Sequence, residues 1–297
     1  GIIREESIQN RDKLINLENI INNITIHKGD VSNFENITTI FKKVMPTECY
    51  HLSGTSFVNY SFEKEFMIMN DNFNSTYYLL SAINKLNKNC KFFFAGSSEM
   101  FGEPYETPQT ENSKFNPKSL YGISKLSSYY LVKNYREKEK KFACTGIMYN
   151  HESPRRGNEF VTKKIISSAV KIKLGLENKL YLGNLDAKRD WGYAPDYVKA
   201  MWKILQADKA DDFIISTGNL HTVREFLDIT FSYLDLEYQD YVEVDPKFFR
   251  ASEKKSLCGT PNKIKEIIGW KNTKGLKEII KEMIDSEINI YSLEGKL

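Results

Sequence analysis

Five short apolar runs, at residues 1–4, 24–27, 49–52, 91–95 and 143–149, are separated by longer stretches in which apolar residues recur at helical spacing. This alternation confines the chain to an α/β fold, a doubly wound parallel sheet whose strands are joined by crossover helices. The run Phe92-Phe93-Phe94-Ala95 is apolar at every position, as a central parallel strand covered on both faces must be. Between the strands, Ile37, Ile40, Phe41 and Val44 follow a capping region at Asp30, Ser32 and Asn33, and further helices are expected over 63–86 and 117–137.

A doubly wound sheet normally opens with its phosphate-binding strand and glycine-rich loop. Here residues 1–4 already read as the middle of a strand, and no two of the 16 glycines lie closer than six residues apart, as in Gly96 and Gly102. Neither a G-x-G-x-x-G turn nor a P-loop is written in this chain. The expectation is a Rossmann sheet whose first strand and glycine-rich loop precede the sequence as given.

Beyond residue 150 the alternation loosens. Polar, arginine-bearing loops at 150–158, 184–191 and 247–253 separate helices near 160–173, 194–206, 223–234, 261–268 and 275–288, with one strand, 212–217, returning to the sheet. The expected organisation is a dinucleotide-binding domain over 1–150 and about 190–220, with a smaller substrate-binding lobe formed by 151–189 and 221–297.

Several function classes are disfavoured by composition. A net charge of +3, from 42 basic against 39 acidic residues, is too small to point to nucleic acid. No stretch approaches the ~18 uninterrupted apolar residues of a membrane span, and no signal-peptide pattern stands at the start. The four cysteines and four histidines are dispersed without C-x-x-C spacing, so no metal site is expected, and buried free thiols fit a reducing, cytoplasmic compartment.

The most specific local pattern is Tyr121-x-x-x-Lys125, preceded by Gly96-Ser97-Ser98-Glu99 at the end of a predicted strand. On a helix, positions i and i+4 share a face, so the Lys125 ammonium can sit beside the Tyr121 phenol and favour its ionised form, as a general base requires. A surface pair on an amphipathic helix gives the same spacing. Ser97 and Glu99 stand where open α/β sheets hold their ligands, at a strand's carboxyl end; there Ser97 can hydrogen-bond the oxygen that Tyr121 deprotonates, and Glu99 can reach a neighbouring carbon. Simple capping of the next segment is the alternative.

These motifs make the chain resemble an extended short-chain dehydrogenase/reductase, specifically the GDP-mannose 4,6-dehydratase family. The matching stretches are Gly29-Asp30-Val31, Tyr50-His51-Leu52-Ser53-Gly54-Thr55-Ser56, Ser97-Ser98-Glu99-Met100-Phe101-Gly102, Tyr121-Gly-Ile-Ser-Lys125, Asn150-His-Glu-Ser-Pro-Arg-Arg-Gly157, Leu182-Gly183-Asn184, Arg189-Asp190-Trp191-Gly192 and Asp245-Pro246-Lys-Phe-Phe-Arg250. Tyr-x-x-x-Lys is shared with the whole superfamily; the NHESPRRG and RDWG segments are particular to this family.

The resemblance implies a redox-neutral cycle. Tyr121, with Lys125, takes the proton from the sugar's 4-hydroxyl as hydride passes to a nicotinamide. Glu99 removes the proton on carbon 5 and assists loss of water from carbon 6, and the returning hydride gives a 4-keto-6-deoxy sugar. Ser97 matches a position usually filled by threonine. Cofactor contacts are implied for Arg4, Asp30, Val31, Leu52, Ser53, Gly54, Ser56, Tyr121, Lys125, His151 and Arg156. Substrate contacts are implied for Ser97, Glu99, Asn150, Val161, Lys164, Gly183, Arg189, Arg250 and Glu253.

Arg4 stands where the family's first arginine meets the 2′-phosphate of NADP, but Glu5-Glu6 follows where a second arginine is common. Because a guanidinium can grip a phosphate with two hydrogen bonds, NADP is the expected cofactor and NAD the alternative. The expected substrate is GDP-mannose or a GDP-linked manno-heptose, and a homodimer or homotetramer is the expected assembly. Competing readings are an epimerase or 4-reductase of the same fold, in which Glu99 has no task, and a non-catalytic binding protein lacking the glycine-rich loop.

Overall fold

The Phe92-Phe93-Phe94 run is the middle of a seven-residue strand, and all three side chains are fully buried. Each contributes about 1.5–3 kcal/mol of transfer free energy. The structure, a computed structural model, describes residues 1–8, 14–55, 67–249 and 256–293. In chain order its elements begin β1 (Ile2–Ile3), α1 (Glu5–Ile8), β2 (His27–Lys28), α2 (Phe34–Val44), β3 (Glu48–His51), α3 (Ser75–Leu86), β4 (Lys91–Ser97), α4 (Leu120–Glu137) and β5 (Ala143–Met148). They continue with β6 (Asn150–Glu152), α5 (Val161–Lys173), β7 (Leu180–Leu182), β8 (Lys188–Arg189), β9 (Trp191–Tyr193), α6 (Ala194–Leu205), β10 (Asp212–Ile215), β11 (His221–Thr222), α7 (Val223–Tyr233), β12 (Val242–Val244), α8 (Asn262–Ile268) and α9 (Leu276–Leu293).

Strands β10, β5, β4 and β3 lie side by side in that order in a parallel sheet flanked by helices, while β1 and β2 form a separate parallel pair with Ile2 opposite His27. The α/β class is the one expected. Local chemistry sets the helix starts: Asn33 caps α2 by accepting the Asn36 N–H at 3.0 Å, and Ser119 caps α4 by accepting the Gly122 N–H at 3.0 Å. Side-chain capping of this kind satisfies donors that the first helical turn leaves unpaired.

The helix expected roughly over 63–86 is helical throughout its described part, 67–86, with Asn70–Asn74 forming a π-helical turn ahead of α3; residues 56–66 lie outside the described residues. The hydroxyls of Ser75 and Thr76 bond back to the Asp71 and Asn72 carbonyls, Thr76 at 2.8 Å. Such back-bonding competes with the regular helical ladder.

The chain divides into two units. Unit one comprises Gly1–Gly102, Pro117–Ile147 and Lys203–Phe213, and unit two comprises Glu103–Asn116, Met148–Trp202 and Ile214–Leu297. In unit one, Arg136 on α4 forks onto Asp212 at 2.8 and 2.5 Å. In unit two, α5, α7 and α9 share a core containing Ile166, Phe226, Phe231, Ile280 and Met283, and a buried ion pair joins Lys163 to Glu287 at 2.5 Å. The pairs β6–β9 and β7–β12 are parallel and β8–β11 antiparallel. These two- and three-residue strands are too short to leave a periodicity in the sequence. All four cysteines are free, with Cys90, Cys144 and Cys258 buried. Among the described residues no helix is long and apolar enough to cross a membrane, and no cluster of His, Cys, Asp and Glu has metal-binding form.

Candidate functional site

In unit one, β4 ends at Ser97, whose hydroxyl accepts the Glu99 N–H at 3.2 Å and so starts the tight turn Ser98–Met100. Helix α4 is seated on this turn through Gly122: a β-carbon there would stand 2.5 Å from the Glu99 carbonyl oxygen. Only glycine permits that approach, and it brings Tyr121 beside the segment that carries Ser97 and Glu99. Lys125, one turn further along α4, is 5 % exposed, donates to the Ala95 carbonyl at 2.9 Å and lies 5.8 Å from the centroid of the Tyr121 ring. Burial pushes its ammonium down to about 8. The four expected catalytic residues are thus gathered at the carboxyl end of β4.

Five expected cofactor residues meet on one cavity. Arg4, Asp30, Val31, Ser53 and Gly54 line a space of about 210 Å³ together with Ile2, Ile3, Ser7, Gly29 and Asp71. Gly54 adopts φ +144°, and a β-carbon on it would collide with the Asn72 amide oxygen. Leu52 is 55 % exposed and is not part of that lining, and Ser56 lies outside the described residues.

Two residues that sequence reasoning did not assign hold this wall in place. Asn72, fully buried in the π-helical turn, accepts the Thr55 N–H at 2.9 Å and donates to Ser124 on α4 at 3.0 Å, so it links the Gly54 loop to the helix of Tyr121 and Lys125. His51, also buried, hydrogen-bonds Ser53 through Nδ1 at 3.0 Å and Thr76 through Nε2 at 3.0 Å. Burial, with the Lys125 charge adding to it, pushes His51 down to about 3, so the ring is neutral. The polar run Asn70-Asp71-Asn72 inside an otherwise apolar helix pattern could have marked the first, and the second stands within the family-matching stretch 50–56 with no role assigned to it.

In unit two, His151 on β6 stacks on Tyr197 with ring centroids 4.8 Å apart, and its Nδ1 bonds the Tyr149 carbonyl at 2.9 Å. Burial pushes it down to about 4, leaving a neutral ring. Arg156 lies over the Phe160 ring at 3.5 Å and 3.2 Å from the buried Glu152 carboxylate, which also accepts from Thr162 at 2.6 Å. Among the expected substrate residues, Asn150 is on β6, opposite Trp191, and Val161 opens α5. Lys164 donates to the Tyr181 carbonyl at 2.7 Å and covers the Phe248 ring at 4.4 Å. Gly183 packs under Phe248, whose carbonyl oxygen would be 2.5 Å from a β-carbon there. Arg189 is opposite His221 in the β8–β11 pair. Arg250 and Glu253 lie outside the described residues.

Comparison with known proteins gives a consistent picture. A family model described as GDP-mannose 4,6 dehydratase matches residues 1–283. The chain is 40% identical to GDP-mannose 4,6 dehydratase 1 of Arabidopsis thaliana, covering 100% of this chain and 84% of the relative. It is 38% identical to GDP-mannose 4,6 dehydratase of Homo sapiens, covering 98% and 84% respectively. Among solved structures, RMD from Pseudomonas aeruginosa complexed with NADPH matches with a TM-score of 0.82 at 20% identity over 90% of both chains. The dTDP-glucose 4,6-dehydratase DesIV of Streptomyces venezuelae, with NAD and TYD bound, matches with a TM-score of 0.81 at 17% identity over 97% of this chain and 87% of that one. At these identities the two structures speak to the fold.

Proposed function

The chain belongs to the GDP-mannose 4,6-dehydratase family, and from that premise we propose that it removes water from a GDP-linked sugar to give the 4-keto-6-deoxy product. The observation that supports the reading is the seating of α4 on the Ser98–Met100 turn through Gly122, which packs the helix carrying Tyr121 and the buried Lys125 against the backbone of Glu99. An oxidation at carbon 4 coupled to elimination across carbons 5 and 6 needs that set of groups.

Cavity chemistry fits the adenosine end of a nicotinamide dinucleotide: Ile2, Ile3 and Val31 are apolar, and Arg4, Ser7, Asp30 and Asp71 are polar. Such a cofactor supplies a reversible hydride acceptor. In this reading Tyr121 removes the 4-hydroxyl proton, Lys125 favours the phenolate, and Ser97 donates a hydrogen bond to the same oxygen. Glu99 takes the carbon 5 proton and delivers a proton to the departing 6-hydroxyl. His151 and Arg156 act on the dinucleotide, and Asn150, Val161, Lys164, Gly183, Arg189, Arg250 and Glu253 on the GDP-sugar. Guanine comes with the family, and the assay below decides between mannose and manno-heptose.

Incubating the purified chain with GDP-mannose and with GDP-manno-heptose, and following the 4-keto-6-deoxy product by mass, tests the reading. At least one sugar should turn over, and Glu99→Gln should lose about 10²–10⁴-fold in kcat. Turnover of neither sugar, or an undiminished Glu99→Gln rate, would refute it.

A homo-oligomer in the cytoplasm completes the proposal. Tyr77 on α3 and Tyr130 on α4 are 46% and 55% exposed in unit one, a cost that burial against a second copy would remove. Four free cysteines suit a reducing compartment. By sedimentation velocity the chain should run as a dimer or tetramer, and Tyr130→Glu should shift it toward monomer; a monomeric parent chain contradicts the assignment.

A further inference from the structure

The cavity of unit one carries more negative than positive charge. Arg4, Asp30 and Asp71 line it, Glu6 stands 3.7 Å from the Arg4 Nε, and Glu5 is ion-paired with Lys28. The lining itself thus carries one cation against two carboxylates, and with the neighbouring Lys28, Glu5 and Glu6 the balance is two cations against four carboxylates, a formal −2 among these residues. Asp71 senses its neighbours: half-burial raises its carboxyl, the Arg4 charge opposes the rise and the Asp30 charge adds to it. Asp30 is meanwhile held by the Ser32 N–H at 2.8 Å and the Ser32 hydroxyl at 2.7 Å, so its charge is fixed on the wall.

The two nicotinamide dinucleotides differ at the 2′ position of the adenosine ribose. A 2′-hydroxyl is a neutral donor that a carboxylate accepts, whereas a 2′-phosphate carries about −1.5 to −2 charge and calls for arginine. Arg4 alone favours the phosphate. Its pair with Glu6 is open to water, with side-chain exposures of 47% and 70%, so the pair does not immobilise the guanidinium. Glu6 acts instead by lowering the potential where the phosphate would sit, and Asp30 and Asp71 lower it further across the cavity.

We propose that this subsite selects the dinucleotide with a free 2′-hydroxyl, NAD, over NADP, and that Glu6 is the residue that sets the choice. The inference rests on the reading of the cavity as the adenosine site.

Calorimetric titration of the full chain, stripped of bound nucleotide, with NAD⁺ and NADP⁺ tests it, with 5′-AMP and adenosine 2′,5′-bisphosphate as fragments that differ only in the 2′-phosphate. NAD⁺ should bind about tenfold tighter at low salt, and the gap should narrow as salt screens the repulsion. Glu6→Gln, a change of charge on an exposed side chain, should move the ratio toward NADP⁺ about fivefold. Equal affinity, tighter NADP⁺, or a ratio that Glu6→Gln leaves in place overturns the inference while the dehydratase reading stands. Failure of both dinucleotides to bind overturns the cofactor reading, and this inference with it.

Discussion

Lys125 is the residue where fold and chemistry pull in opposite directions. Its side chain is held near pKa 8 by burial, whereas in an unfolded chain a lysine keeps its proton to about 10.4. Between these values the unfolded state holds the Lys125 proton more firmly, so this side chain's own contribution to stability grows as pH climbs from 8 toward 10, against the buried thiols, whose contribution shrinks over the same range. Over the same interval the cation beside Tyr121 is lost. Dehydration should therefore fall above about pH 8, and Lys125→Arg, which stays charged, should move the alkaline limb of the rate profile upward. A limb unmoved by that substitution would separate Lys125 from the chemistry. The group around Tyr121 was legible in the sequence because i, i+4 spacing and a strand end are local properties. Asn72 and His51 were not, because their meaning lies in partners such as Ser124, Ser53 and Thr76 that only the folded chain brings near.

At the scale of elements, the contact between α4 and the Ser98–Met100 turn decides where Glu99 stands. Helix propensity alone favours alanine over glycine by about 1 kcal/mol, so Gly122→Ala would stabilise a helix with free space around it. With the Glu99 carbonyl oxygen 2.5 Å from the added methyl, the expected result is the reverse. Stability should fall, and kcat should drop by about 10²-fold, since displacements near 1 Å are enough to misalign reacting groups. Thermal melts and steady-state kinetics on the one variant read both, and a stabilised, fully active protein would mean that the turn yields freely. Strands β3, β4 and β5 and helix α2 lie close to where their apolar patterns place them. The π-helical turn ahead of α3 escaped detection because apolar periodicity records which face is buried and is blind to one widened turn.

Across the whole molecule, the chain enters each unit more than once: residues 103–116 belong with unit two and 203–213 with unit one. The crossings after Trp202 and after Phe213 fall within helix α6 and strand β10, so neither a loop nor a compositional break marks them in the sequence. One consequence concerns the cysteines. Burial pushes the thiols of Cys90 and Cys144, both in unit one, up to about 12, and that of Cys258, in unit two, up to about 11. A thiol reacts as its thiolate, so at neutral pH an alkylating reagent meets almost none until a unit opens. The native sequence therefore contains a stopwatch for unfolding in each unit. Mass spectrometry of samples quenched during alkylation should find these three sites labelled far more slowly than a free thiol, and the order in which they gain mass on heating identifies the unit that opens first. Uniformly fast labelling would mean that neither unit shields its interior.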